Sequence, residues 1–103
     1  MDITLPVANP LLMTPRTSGE FLAVRKISFT PTAYTASVVS FLDSSTDVAF
    51  GSFSIPPVRP DGKGTQTLDF GDGVRLPKNA SIKLATTNGA VGHLHLDVER
   101  ISY

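Results

Sequence analysis

The 103 residues are enough for one domain with a single two-layer core, and too few for a catalytic domain joined to a regulatory one. Nine basic and nine acidic residues give zero net charge, which argues against nucleic acid as the main partner, because phosphate binding needs clustered positive charge. Cysteine is absent, which excludes disulfides, zinc–thiolate sites and thiol nucleophiles.

Residues 1–19 are apolar but interrupted by three prolines, which forbid a long helix or a central strand. Such a segment must lie on something, either as a first edge strand of its own domain or as an arm across a neighbouring subunit. We assign 1–19 as an N-terminal extended arm and 20–103 as the domain that follows. The candidate contact residues of the arm are Leu5, Val7, Leu11, Leu12 and Met13.

The chain shows no signal for a membrane or for export. Its beginning has no basic region followed by an apolar run, and no apolar stretch approaches the ~20 residues of a membrane span. Charged residues are 17% of the chain, below the roughly 25% usual in soluble domains, which suits a surface that lies against other protein. We therefore expect synthesis in the cytoplasm, no membrane partner and a covered surface.

Three segments of the first half alternate apolar and polar residues with the period of a β-strand: 20–30, 36–43 and 48–55. The apolar parity changes at Arg25-Lys26 and again at Gly51, and each change predicts a β-bulge. Segment 36–43 is apolar on both parities, which predicts a central strand covered on both sides. Residues 43–47 have the composition of a hairpin loop.

A long turn-rich loop occupies residues 56–64, with a tight turn at Asp61-Gly62. This loop is a second contact candidate, through Val58 and Arg59. If the surface is covered by other chains, the loop and the arm are the segments expected to touch them.

The second half reads as further strands separated by turns. Gly71-Asp72-Gly73 predicts a turn within the stretch that follows the long loop. Segments 80–87 and 92–103 alternate again, and Asn88-Gly89 between them is the strongest hairpin signal in the chain. The parity changes once more near Arg100, which needs a twist or a bulge.

Seven or eight such strands, no helical stripe and turns every ~8–12 residues predict an all-β fold. We predict a single antiparallel β-sandwich, either jelly-roll or immunoglobulin-like.

One cluster of metal-ligand types stands out, in which His93, His95, Asp97 and Glu99 share one face of the last strand. His93 and His95 are weak metal candidates, because a zinc or iron site needs a third ligand from another strand. The chain has no other His, and its only other Glu is Glu20. We interpret the cluster as the solvated polar face of a strand and expect no metal and no cofactor.

Nothing in the sequence favours catalysis. No Gly-x-Ser-x-Gly elbow is present, and histidines on a strand without an apolar pocket are poor general bases. We therefore expect a protein that is not an enzyme.

Aromatic residues bear on the alternative of sugar binding. Tryptophan is absent, and the six Phe lie in strands and are expected in the core. Tyr34 is the one plausible exposed platform, either a contact residue or the anchor of its loop. A carbohydrate- or receptor-binding module therefore stays as the alternative function.

The pattern Phe70-x-x-Gly73-Val74-x-Leu76-Pro77-x-x-Ala80-x-Ile82-x-Leu84, behind a proline-bearing apolar arm, resembles the small β-sandwich virion proteins of tailed bacteriophages. The likeness is particularly to capsid decoration or cement proteins. The same pattern also occurs in phage tail and fibre modules, so the resemblance places the carbohydrate- or receptor-binding alternative in a phage tail or fibre. It implies a symmetric homo-oligomer, a trimer in the first instance, that bridges capsomers and contacts the major capsid protein in the virion. It brings no catalytic residues.

Overall fold

The computed structural model describes residues 1–57 and 64–102. Its eight strands are β1 Asp2–Leu5, β2 Leu11–Met13, β3 Phe21–Pro31, β4 Ser37–Asp43, β5 Val48–Ile55, β6 Gln66–Arg75, β7 Ile82–Thr86 and β8 Gly92–Ile101. Within these ranges there is no helix of a length and hydropathy that could cross a membrane. The long-loop residues Val58, Arg59, Asp61 and Gly62 lie outside the described residues, as does Tyr103.

The strands form two four-stranded antiparallel sheets. Sheet A has the order β1-β8-β3-β6 and sheet B the order β2-β7-β4-β5. The first strand pairs with the eighth, the second with the seventh, the third with the sixth and the fourth with the fifth. This nesting is the order of an eight-stranded jelly roll. The predicted β-sandwich is confirmed, and of its two forms the strand order is that of the jelly roll.

The core lies between the sheets because each strand turns alternate side chains inward. Phe41 of β4 is fully buried and meets Phe53 of β5 edge to face at a centroid distance of 5.8 Å. Phe53 in turn stacks on Phe29 of the opposite sheet at 6.0 Å. These rings join the two sheets into one cooperative unit.

The N-terminal segment belongs to the domain's own sheets. β1 is an edge strand of sheet A and β2 an edge strand of sheet B. Leu5 and Leu12 are core residues, with 3% and 7% of their surface exposed. The structure thus takes the first of the two interpretations, an edge strand of its own domain, rather than a separate arm ending at residue 19. Proline spacing fits both, because edge strands tolerate proline.

The connection from β2 to β3 is fixed by a buried carboxylate. Glu20 Oε1 accepts hydrogen bonds from the Arg16 N–H at 3.0 Å and from Arg100 Nη1 at 2.7 Å. Arg100 Nη1 also donates to the carbonyl of Thr14 at 2.8 Å. The hydrogen bond from Arg16, followed by that from Arg100, lowers the pKa of Glu20 below its ordinary 4.5.

The two predicted bulges are confirmed. Arg25 is an extra residue between the paired positions Val24 and Lys26, and Phe50 is an extra residue beside Gly51. No register shift occurs near Arg100, because Leu22 pairs with Arg100 and Phe21 with Ile101 in continuous register, so the bulge considered there is not formed.

The glycines at 71–73 form a bulge and not a turn. Val24 pairs with Val74 and Lys26 with Asp69, so residues 70–73 stand out opposite Arg25 while β6 continues as one strand. Gly71 and Gly73 take positive φ angles there.

Two further expectations differ from the structure. Asn88 and Gly89 do form a turn with positive φ, but it crosses between sheets, because β7 pairs with β2 and β4 while β8 pairs with β1 and β3. β4 is central in its sheet, yet only one of its faces is covered, since Val38 is 37% exposed. A turn dipeptide signals a chain reversal without saying which sheet receives the next strand.

Candidate functional site

The outer faces of the two sheets differ in charge. We call the solvent side of sheet A face A and that of sheet B face B. The strands of sheet A carry nine charged side chains and those of sheet B only Asp43 and Lys83. The nine are Asp2, Arg25, Lys26, Asp69, Asp72, Arg75, Asp97, Glu99 and Arg100. Arg100 of sheet A and Asp43 of sheet B do not belong to the outer faces, because they pair with the buried residues Leu22 and Ile82.

Face A is built from cross-strand rows of polar side chains. One row runs Asp2, His95, Ser28, Thr67, and the next runs Thr4, His93, Thr30. Each row follows from antiparallel pairing, which sets side chains of paired residues on the same face. Between β1, β8 and β3 these rows line a shallow groove of about 340 Å³.

The polar groups of face A are bonded to one another. His95 Nδ1 lies 2.6 Å from Asp2 Oδ1, and the Thr30 and Thr65 hydroxyls are 2.7 Å apart. The hydrogen bond with His95, and then the charge of that imidazole, lower the pKa of Asp2 below its ordinary 3.8. Arg25 pairs with Glu99, and this hydrogen bond raises the pKa of the guanidinium. Face A is therefore polar, and two of its charged groups, Asp2 and Arg25, are held by partners on a neighbouring strand.

The weak metal candidates do point outward together, as the alternation predicts. His93 and His95 lie on face A and share the groove with Asp2. No group of three His, Asp or Glu side chains within 1–57 and 64–102 is placed to hold a metal ion. Asp2 was missed from the sequence, because its position beside His95 depends on β1 pairing with β8.

Face B consists of small uncharged side chains around a single lysine. Its central row is Ala85, Ser40, Ser52, and its neighbours include Leu11, Leu42, Ala49, Val38 and Ser54. Lys83 reaches Asp47 at 3.0 Å at one corner. Leu11 and Val38 are 38% and 37% exposed, whereas most large apolar side chains of this sheet point into the core. Apart from Leu11, sequence reasoning missed these residues, since small polar residues at alternate positions carry no signal of their own.

The predicted contact residues scatter between core and surface. Leu5 and Leu12 are buried, Val7 and Met13 are half-buried against the core, and only Leu11 lies on face B. The first two are therefore not available to a neighbouring subunit.

Two of the predicted contact residues, Tyr34 and Leu5, pack against other parts of the domain. Tyr34 is half-buried and packs against the core, which matches a loop anchor and not an exposed platform. Leu5 and Val7 line an apolar cleft of about 140 Å³ together with Pro10 and Leu84. A cleft of this size accepts one side chain at most.

No protein-family model, curated protein or solved structure matches the chain.

Proposed function

We propose that this protein is a structural virion protein of a tailed bacteriophage, a capsid decoration or cement protein that lies on a shell of the major capsid protein. The charge difference between the two faces is the observation that supports it. A sheet face turned to water ordinarily carries polar and charged side chains, as face A does. The strand residues of face B are uncharged apart from Lys83, and uncharged groups cost far less to desolvate against another protein than charged ones do.

Face B is the surface through which the protein would contact the shell. Its central row of Ala85, Ser40 and Ser52 has only short side chains, and its one lysine, Lys83, is paired with Asp47, so a partner can approach without burying an unpaired charge. The paired charges of face A then stay in solvent, where they keep the particle soluble. Contacts through the long loop and Leu11 remain part of the proposal.

Co-sedimentation with shells assembled from the major capsid protein of the same phage tests this proposal. Wild-type protein should pellet with the shells, and Ala85→Glu, which places a carboxylate at the centre of face B, should stay in the supernatant. Thr67→Glu adds the same charge to face A and serves as the matched control that should still pellet. Wild-type protein that does not pellet, or an Ala85→Glu variant that pellets like wild type, would contradict the proposal.

The groove on face A supports a second candidate, a carbohydrate- or receptor-binding module. Its hydroxyls, imidazoles and carboxylate offer hydrogen bonds to a polar ligand, but it has no aromatic platform, because Tyr34 packs on the core. Binding on a glycan array that is lost in His93→Ala and kept in Ala85→Glu would favour this candidate over the first.

A further inference from the structure

We propose that β5 pairs along its free edge with β5 of a second copy, giving a two-fold dimer whose two B sheets form one continuous sheet of eight strands. This inference rests on the proposed function, since it names a second copy of the chain as one partner of the uncharged sheet B. Its geometry comes from the edge of sheet B and not from face B itself.

The four edge strands differ in how they are protected against pairing. β1 has four residues and is followed by Pro6, and β2 has three residues between Pro10 and Pro15. β6 carries Asp69, Asp72 and Arg75, and its edge is broken by the bulge at 70–73. Short length, proline, charge and bulges are the usual devices that keep an edge from pairing.

β5 has the least of this protection. It is eight residues long, Val48–Ile55, and it contains neither a charged residue nor a proline. Its one interruption is the bulge at Phe50. No described residue adds a strand to its outer side, because β5 ends the order of sheet B. An uncharged edge of this length is a template for another strand.

The backbone directions show which groups are free. Val38 bonds through its own N–H and C=O to Thr87, on the far side from β5, so the residue opposite it, Ser54, points its N–H and C=O away from β4. Ser52, two residues earlier, points the same way. The Ser54 carbonyl already accepts from Gln66 Nε2 at 2.9 Å, which leaves Ser52 as the centre of the free edge.

A second copy is the occupant that the charges and the area favour. Antiparallel self-pairing sets β5 against β5, with no charge to repel on either strand, and it closes about a two-fold axis. Face B alone has a planar area of roughly 400 Å², from four strands ~4.8 Å apart and about six residues long. A standard interface with another protein needs about 800 Å² per partner. The two B faces of the dimer, joined side by side, together reach that size.

The mass of the 103-residue chain in solution tests the pairing. By light scattering from about 1 μM to about 1 mM, wild type should rise from the 11.0 kDa of one chain to twice that value. Ser52→Lys places a charge at the centre of the edge and should hold the mass at one chain. Thr67→Lys, an equally exposed substitution on the β6 edge, should pair like wild type.

Hydrogen exchange supplies a readout at the edge itself. The Ser52 amide should exchange at least tenfold more slowly in the concentrated than in the diluted sample, and equally fast in both for Ser52→Lys. Circular dichroism confirms that each variant is folded. A wild-type mass of one chain throughout, a folded Ser52→Lys that still pairs, or a trimer with an unprotected Ser52 amide would overturn the inference.

The outcome is separable from that of the proposed function. Ala85→Glu lies at the middle of face B, away from the edge, and should pair normally while failing to bind shells. A protein that binds shells as a monomer would refute the pairing and leave the proposed function standing.

Discussion

Faces A and B are parts of one sandwich with a shared core, yet they present different numbers of charged side chains to water. On face A, charges meet in pairs across the strands, as with Asp2 and His95 or Arg25 and Glu99. Exposed pairs of this kind contribute little to stability, so the fold itself does not require them there. By the same reasoning the fold does not require face B to lack charges. The difference teaches that the needs of folding alone do not decide which side chains the two faces carry.

The largest effect should come from removing what the faces share. Phe41→Ala empties a fully buried site between the sheets and should lower the free energy of unfolding by about 3–5 kcal/mol. Chemical denaturation monitored by circular dichroism measures it. Both sheets should melt together, and a variant in which one sheet melts separately would contradict a common core. Ser40→Ala, on the outer side of the same strand, is the control.

A second test concerns the N-terminal strands, one of which borders each face. Leu12→Ala should lower the free energy of unfolding by about 2–4 kcal/mol, because this side chain is buried in its own domain. Leu11→Ala, the exposed neighbour on face B, should change it by less than about 1 kcal/mol. Equal and small effects at both positions would restore the interpretation of residues 1–19 as a detached arm.

Acid should act mainly from the side of sheet A. The pKa of Glu20 is lowered in the folded chain, so its carboxylate stabilises the fold above pH ~4.5, and this contribution is lost as the pH falls through the folded pKa. The melting temperature of wild type should drop between pH 6 and pH 3, and that of Glu20→Gln should drop less. Glu99→Gln, in an exposed pair, should follow wild type. Parallel curves for all three would refute this role.

The smallest effect on stability should come from Val38→Thr on face B, which keeps a β-branched side chain on an exposed site. The free energy of unfolding should change by no more than about 0.5 kcal/mol. Shell binding should weaken, because a hydroxyl must then be desolvated in the contact. Unchanged binding would show that the part of face B around Val38 is not in the contact surface.

Strands and bulges could be predicted from the sequence because alternation is a local signal. The parity changes at Arg25 and Gly51 each gave a bulge at the right place. The assignment of strands to sheets could not be predicted from the sequence. For this reason Asn88-Gly89 predicts a hairpin, whereas in the structure the turn connects strands of different sheets. Apolar residues near prolines fit a docked edge strand as well as an arm, so Leu5 was misplaced for the same reason.

Most residues of the candidate surface could not be predicted either, because their position also depends on which strands share a sheet. His93 and His95 were placed correctly on one outer face by alternation alone. Asp2 reached them only through the pairing of β1 with β8, and face B emerged only when β2, β4, β5 and β7 were set side by side. A small residue such as Ala85 can be recognised as part of a surface only when its neighbours on other strands are known.

The position of β8 has a consequence for how the chain matures on the ribosome. This strand is made last of the eight, yet it lies inside sheet A, between β1 and β3. Until β8 emerges, the backbone edges of β1 and β3 that pair with it have no hydrogen-bond partner. The ninety or so residues already synthesised therefore cannot close sheet A. Sheet A can therefore close only after β8 has left the ribosome, and a nascent chain stalled before His93 would expose Leu22, Ile27 and Phe29 to chaperones.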